Sequence, residues 1–316
     1  MRRSSIFLFL SLGIIQSYTD EVYAVSSSDE INILLKVAGI IILGIVLGSY
    51  WIWQAVNRRY RNPDATFISK KQSYLLMGCF QVYLLLFFLG IDIEYQSTEL
   101  LQQSLIFLCI FNLFWFLLVI AMLSPQRQSI QDWARYRHQQ VNNDETAIVK
   151  GLAISLKQDL IWSEKSPALV AIGIHLIITA VIWISWILFW QDNTMKLPAI
   201  LTLILSFNLI LIYAVIAQFI LLIKVKKPAI WATGILGSFI FLQPVGLMLM
   251  SITPNSYPNW WLFSTFPWLY FDNSLAIAPM LIAIISQWSV LILATFLLTR
   301  KIQKLGASNS QKLLTN

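Results

Sequence analysis

Residues 199–223, AILTLILSFNLILIYAVIAQFILLI, run for twenty-five positions without a charged side chain. As a helix rising 1.5 Å per residue the stretch is about 37 Å long, more than the roughly 30 Å of a bilayer's hydrocarbon core. Comparable apolar runs recur at 31–53, 73–90, 104–123, 167–190, 228–252 and 274–299. Where no water reaches the backbone, each run must satisfy its own N–H and C=O groups, and a helix does so within one segment. The expected fold class is therefore all-α: a polytopic transmembrane helix bundle of about seven spans, one domain covering 25–305.

Composition agrees with that solvent. The 316 residues are 58% hydrophobic and only 12% charged, against about one quarter charged in soluble domains. The net charge of +7 does not point to nucleic acid, because the basic residues stand in short blocks between apolar runs and not on one folded face. Such blocks encode orientation. The segments 54–72, 124–166, 224–227 and the C-terminal tail hold eighteen Lys and Arg, whereas the opposite loops hold only Lys196. This asymmetry places those four segments and the C-terminus in the cytoplasm and the N-terminus outside.

The first 24 residues read as a signal peptide: Arg2 and Arg3, an apolar run from Ile6 to Ile15, then Val22-Tyr23-Ala24. Cleavage after Ala24 and retention as a signal anchor both leave Ser26 outside. At the other end, 306–316 is a polar cytoplasmic tail. Ser166-Pro167 and Pro228 are expected to open helices as cap and first-turn proline. Cys79 and Cys109 fall near opposite ends of antiparallel spans, too far apart for a disulfide, and read as packing residues.

The sequence lacks a G-x-x-x-x-G-K-[ST] phosphate loop, H-E-x-x-H and C-x-x-C, and has two histidines. No catalytic, cofactor-binding or metal-ligating residue is therefore assigned, and active transport would require an ion gradient or an ATPase in trans. Within 124–166, Ile130, Trp133, Ala134 and Val141 share one helical side, and Val149, Leu152, Ala153, Leu156 and Leu160 repeat the pattern. Two amphipathic helices follow, lying on the inner leaflet or docking a partner, with Trp133, Leu152 and Leu156 as candidate docking residues. The outer loop 253–273 carries eight aromatics broken by Pro254, Pro258 and Pro267. It reads as an interfacial or re-entrant element, with Trp260, Trp261, Phe266 and Trp268 as a candidate outer gate.

Inside the spans stand Lys36, Gln81, Asn112, His175, Asn208, Gln218, Gln243 and Gln287. Lys36 is close enough to the outer end to snorkel. His175, Asn208, Gln243 and Pro244 are the candidate intramembrane functional residues, set against the simpler role of amides and imidazole as interhelical glue. Pro244 cannot donate to Ile240, which predicts a kinked or discontinuous sixth span. Gly44-x-x-x-Gly48 and the small residues Thr233, Gly234, Gly237 and Ser238 permit close approach within the chain or between two copies.

The strings LSPQR (123–127), DWARYRH (132–138), QDLIWSEKSP (158–167) and WLFSTFPW (261–268) resemble a family of uncharacterised cyanobacterial polytopic membrane proteins. The resemblance implies a bacterial cell membrane or thylakoid membrane and carries no activity with it. In layout alone the chain is similar to ABC-2-type permeases, which have about six spans, cytoplasmic coupling helices and a re-entrant element before the last span. Two readings of function stand side by side. One is a permease-like subunit moving a hydrophobic or amphiphilic solute with a separate cytoplasmic ATPase. The other is a non-catalytic membrane scaffold or assembly factor, and in either case the lipid bilayer is a partner and a homo-oligomer is open.

Overall fold

The structure, a computed structural model, describes residues 27–62, 65–89, 98–143, 149–251, 262, 264 and 277–307. The described elements are helices: α1 (Ser27–Arg61), α2 (Lys70–Leu89), α3 (Thr98–Leu123), α4 (Arg127–Asn143), α5 (Val149–Trp162), α6 (Leu169–Leu188), α7 (Asn193–Leu221), α8 (Pro228–Leu249) and α9 (Ile277–Ala307). No strand occurs among the described residues. Six of these helices, α1, α3, α6, α7, α8 and α9, are long and apolar enough to cross a membrane. The seventh expected span, 73–90, falls on α2, which opens with Lys70, Lys71 and Gln72 and is not among these six; Gly90 lies outside the described residues. Even so, α2 lies inside the bundle, its Met77, Leu84 and Phe88 packed into the same core as α3, α6 and α7.

The helix α7 is the hub, in contact with α3, α6, α8 and α9, while α1 leans chiefly on α2. The distribution of side chains is inverted relative to a water-soluble protein. Ile42, Ile45, Ile230, Leu242, Ile285 and Ile292 are exposed, while Gln81, Asn112, His175, Asn208, Gln218 and Gln287 are buried. Apolar side chains facing outward around buried amides are the arrangement a hydrocarbon solvent selects. An integral membrane helical bundle is the class of protein this defines.

Several helix ends differ from the sequence expectation. Ser166 does not cap α6, whose N-cap is Ala168 with no side-chain bond. The Ser166 hydroxyl is instead drawn to the end of α5. The helix α7 starts six residues before 199, because Asp192 caps it through the Thr194 N–H at 2.9 Å. Pro198 is carried inside the helix, since near the N-terminus a proline costs little more than one intrahelical bond. The helix α9 continues past 299 to Ala307, so Gly306 and Ala307 belong to a packed helix and not to a tail; 308–316 lie outside the described residues, as do 1–26.

The sixth expected span is not discontinuous. The helix α8 runs without a break through Pro244. Ala232, Leu236, Ile240 and Pro244, spaced four apart, form its buried stripe, and α7 is the helix it packs against. Neighbouring side chains can accommodate the one carbonyl that proline leaves without a donor. Of the small-residue motifs, Gly44 leaves room for the Tyr83 hydroxyl, which would lie 2.6 Å from a Cβ there, while Gly48, Gly234 and Gly237 have nothing within 4 Å. Cys79 and Cys109 are both free thiols.

Candidate functional site: a clasp at the basic end

The ends of the helices that carry the basic segments gather at one end of the bundle. Lys70, in the first turn of α2, is 2% exposed. Its ammonium donates to the Leu160 carbonyl at 2.7 Å, the Ser166 hydroxyl at 2.6 Å and the Pro167 carbonyl at 3.1 Å. The Ser166 hydroxyl in turn donates to the Asp159 or the Ser163 carbonyl, at 2.8 and 2.9 Å. Burial lowers the Lys70 pKa from 10.5 to about 8, against the opposing pull of Asp159 and Glu164. Both carboxylates are engaged: Glu164 pairs with Arg58 of α1, and Asp159 with Arg137 of α4. The Tyr74 hydroxyl adds a bond to the Ile161 carbonyl at 2.8 Å.

A lysine within hydrogen-bond distance of a serine resembles a base–nucleophile pair, but the geometry is that of a clasp. All three ammonium protons have acceptors, which leaves no lone pair for a base, and Ser166 is completely buried. The clasp fixes the α5–α6 turn to α1, α2 and α4. On its other side α4 is docked on α9: a Cβ at Gly306 would lie 2.8 Å from the Ala134 carbonyl, and Ile130 shares a cluster with Val215, Leu222 and Leu298. The expected pair of loop helices is present, but their basic residues are not all on a wetted face, because Arg137 is buried against Asp159.

The candidate docking residues separate. Trp133 is half-buried and its indole N–H is buried without a hydrogen-bond partner. Leu156 is exposed, as are Tyr136 and Trp162. Leu152 lies on α5, but its side chain is outside the described residues. The candidate gate Trp260, Trp261, Phe266 and Trp268 is also outside them.

His175, Asn208, Gln243 and Pro244 are distributed over three helices, α6, α7 and α8. His175 of α6 packs on the Tyr74 ring at 5.2 Å, neither of its nitrogens in a well-formed hydrogen bond. Asn208 of α7 accepts from the Trp288 indole at 3.1 Å. Gln243 and Pro244 are neighbours on α8, with Pro244 in the buried stripe of that helix. A different buried network ties three helices near mid-span: Trp183 N–H donates to Gln81 Oε1 at 2.6 Å, Gln81 donates to Asn112 Oδ1 at 2.8 Å, and Asn112 donates to the Leu108 carbonyl at 3.0 Å. Sequence reasoning treated Lys70, Arg58 and Arg137 only as orienting charges. The available signal was the acids Asp159 and Glu164 on the far half of the 124–166 segment, where they can pair with basic residues of other segments.

Comparison with known proteins returns no match to a family model, to a curated protein or to a solved structure.

Proposed function

We propose that this chain is a non-catalytic integral membrane scaffold that presents α4 and α5 as a docking platform to a cytoplasmic protein. The observation that carries this reading is the clasp. Two helices with no span of their own are held to α1, α2, α6 and α9 by buried hydrogen bonds, ion pairs and a glycine contact. Ordering so much polar structure is costly if the segment only adheres to lipid. The platform's exposed side offers Leu156 and Trp162 beside Lys71, Lys157 and Lys165, which suits a partner with an apolar patch rimmed by acidic side chains. The eighteen-to-one charge asymmetry supports a cytoplasmic position for this side.

The permease reading shares the platform but loses the broken sixth span that supported it. Affinity purification from native membranes separates the two. Recovery of a membrane complex without a nucleotide-binding subunit supports the scaffold, and stoichiometric recovery of an ATPase returns the chain to the permease class. Labelling of a cysteine placed at Asn143 from outside intact cells would overturn the cytoplasmic assignment.

A further inference from the structure

A cavity of about 310 Å³ lies where α1 ends and α2 begins, lined by Gln54, Asn57, Arg58, Arg61, Asn62 and Gln72. We infer that it is a binding site for a phosphate-bearing headgroup, and that its occupant is an anionic phospholipid of the bilayer. The inference stands independently of the docking function.

Three observations support it. First, apart from Ala65 the lining side chains are polar or cationic: two guanidiniums and four amides, with no carboxylate among the described lining residues. The carbonyl end of a helix repels anions, so an anion site here requires the sign to be reversed locally. Arg58, Arg59 and Arg61 in the last turn of α1 do so. Second, the basic groups are not equivalent. Arg58 is committed to Glu164 and the Thr66 carbonyl, and Arg59 lies over the Phe67 ring at 4.3 Å. Arg61 lines the cavity and has neither commitment, and the forked N–H groups of a guanidinium, with amides beside it, can donate to two oxygens of a phosphate.

Third, the surroundings are amphiphilic. Gln54, Asn57, Arg58 and Arg61 follow the i, i+3, i+4, i+7 spacing of one helical stripe, and Ile52, Trp53, Val56 and Tyr60 on the same turns are exposed. A free phosphate would use only the cavity. A lipid uses both surfaces, its headgroup among the amides and guanidinium, its acyl chains along the exposed side of α1. The volume is at the lower end for small-molecule sites, sufficient for a headgroup and not for the whole lipid.

The test uses the full chain purified in neutral detergent and titrated with phosphatidylglycerol, with phosphatidylcholine and with inorganic phosphate, reading the shift in unfolding temperature and the bound lipid by native mass spectrometry. Phosphatidylglycerol should bind and stabilise, and phosphatidylcholine should do so much less. Loss of one charge-assisted contact in Arg61→Gln should weaken phosphatidylglycerol roughly tenfold. Arg59→Gln removes the same charge next door but outside the cavity, and should retain the affinity. Equal binding of the two lipids, or equal losses in the two variants, overturns the site. A full shift with inorganic phosphate at the same concentration overturns the lipid as occupant. Asn57→Ala keeps the test falsifiable if Arg61→Gln fails to fold: it should also weaken phosphatidylglycerol selectively, and unchanged affinity counts against the site.

Discussion

The Lys70 ammonium lies 2.6 Å from the Ser166 hydroxyl although ninety-six positions of chain separate them. Through that pair the start of α2 holds the turn between α5 and α6, and the platform becomes continuous with the bundle. Replacing Lys70 by Met removes three donors at once and leaves the Leu160 and Pro167 carbonyls and Ser166 without them. The expected cost is about 2–4 kcal/mol of stability, the range for breaking buried charge-assisted bonds. Unfolding in detergent should show it, together with faster modification of a cysteine placed at Ser163. Lys70→Arg should not restore stability, since a planar fork cannot meet three acceptors arranged around a single nitrogen.

The same residue sets a pH dependence. Its folded pKa, about 8, lies below the ordinary 10.5 because burial disfavours the charge more than Asp159 and Glu164 favour it. Below about pH 8 both folded and unfolded chains are protonated here, and the burial penalty is fully present. Between about 8 and 10.5 the unfolded chain holds more protons at this site, so its contribution to stability rises with pH. The unfolding-temperature advantage of the unmodified chain over Lys70→Met should therefore grow across that window. An advantage that shrinks would mean that the ammonium is better stabilised in the fold than in water.

Gln81 joins α2 to α3 and α6 through Asn112 and Trp183. Interhelical bonds in membranes average about 0.6 kcal/mol, with a maximum near 1.7. Gln81→Leu, which breaks two of them and leaves a buried indole N–H unpaired, should cost roughly 1–3 kcal/mol. Adding Asn112→Leu should cost less than that change does alone, because the shared bond is already gone. A double-mutant cycle on reversible unfolding measures the difference, and strict additivity would show that the two amides act separately.

Much of this architecture was legible in the sequence, for physical reasons that also explain what was not. A run such as 199–223 excludes water all along its length, so each span follows from composition alone. The ends are decided by single contacts that hydropathy does not contain. Asp192 opens α7 before its apolar run begins, and α9 runs on through Gly306, where it closes on Ala134. The clasp escaped because its members, Arg58, Lys70, Arg137, Asp159 and Glu164, come from separate segments, and a positive-inside count treats every lysine as solvated. His175 and Pro244 stood out as unusual residues within apolar runs. Their neighbours, Tyr74 for the one and α7 for the other, are set by packing that no local pattern encodes.

Gly306 is where α9 touches α4. A Cβ there would lie 2.8 Å from the Ala134 carbonyl, a backbone atom that cannot turn away. Gly306→Val should thus push α4 off the bundle, exposing residues 124–166 to limited proteolysis while the spans remain inserted. Gly48→Ala, with nothing within 4 Å, should be silent in the same assay, and Gly44→Ala intermediate, because its obstacle is the end of the Tyr83 side chain. Equal protease resistance in Gly306→Val and the unmodified chain would mean that the α4–α9 contact does not hold the platform.

The residues that report docking must be exposed in the chain by itself, and this separates Leu156 from Trp133. Trp133 is half-buried with its indole nitrogen enclosed, so Trp133→Asp removes packing and partly desolvates a carboxylate, and should damage the platform whether or not a partner exists. Leu156 is 39% exposed and Trp162 is 49% exposed. A surface change of this kind ordinarily shifts stability by no more than about 0.5 kcal/mol. Leu156→Asp should therefore leave membrane level, topology and unfolding temperature as they were, yet abolish recovery of the cytoplasmic partner, because a charge placed in an apolar contact must be desolvated when the partner binds. Leu156→Met, which keeps the apolar surface, should retain recovery. If Leu156→Asp and the combined Leu156→Asp, Trp162→Ala variant both bring down the same proteins as the unmodified chain, this side of the platform is not where a partner docks.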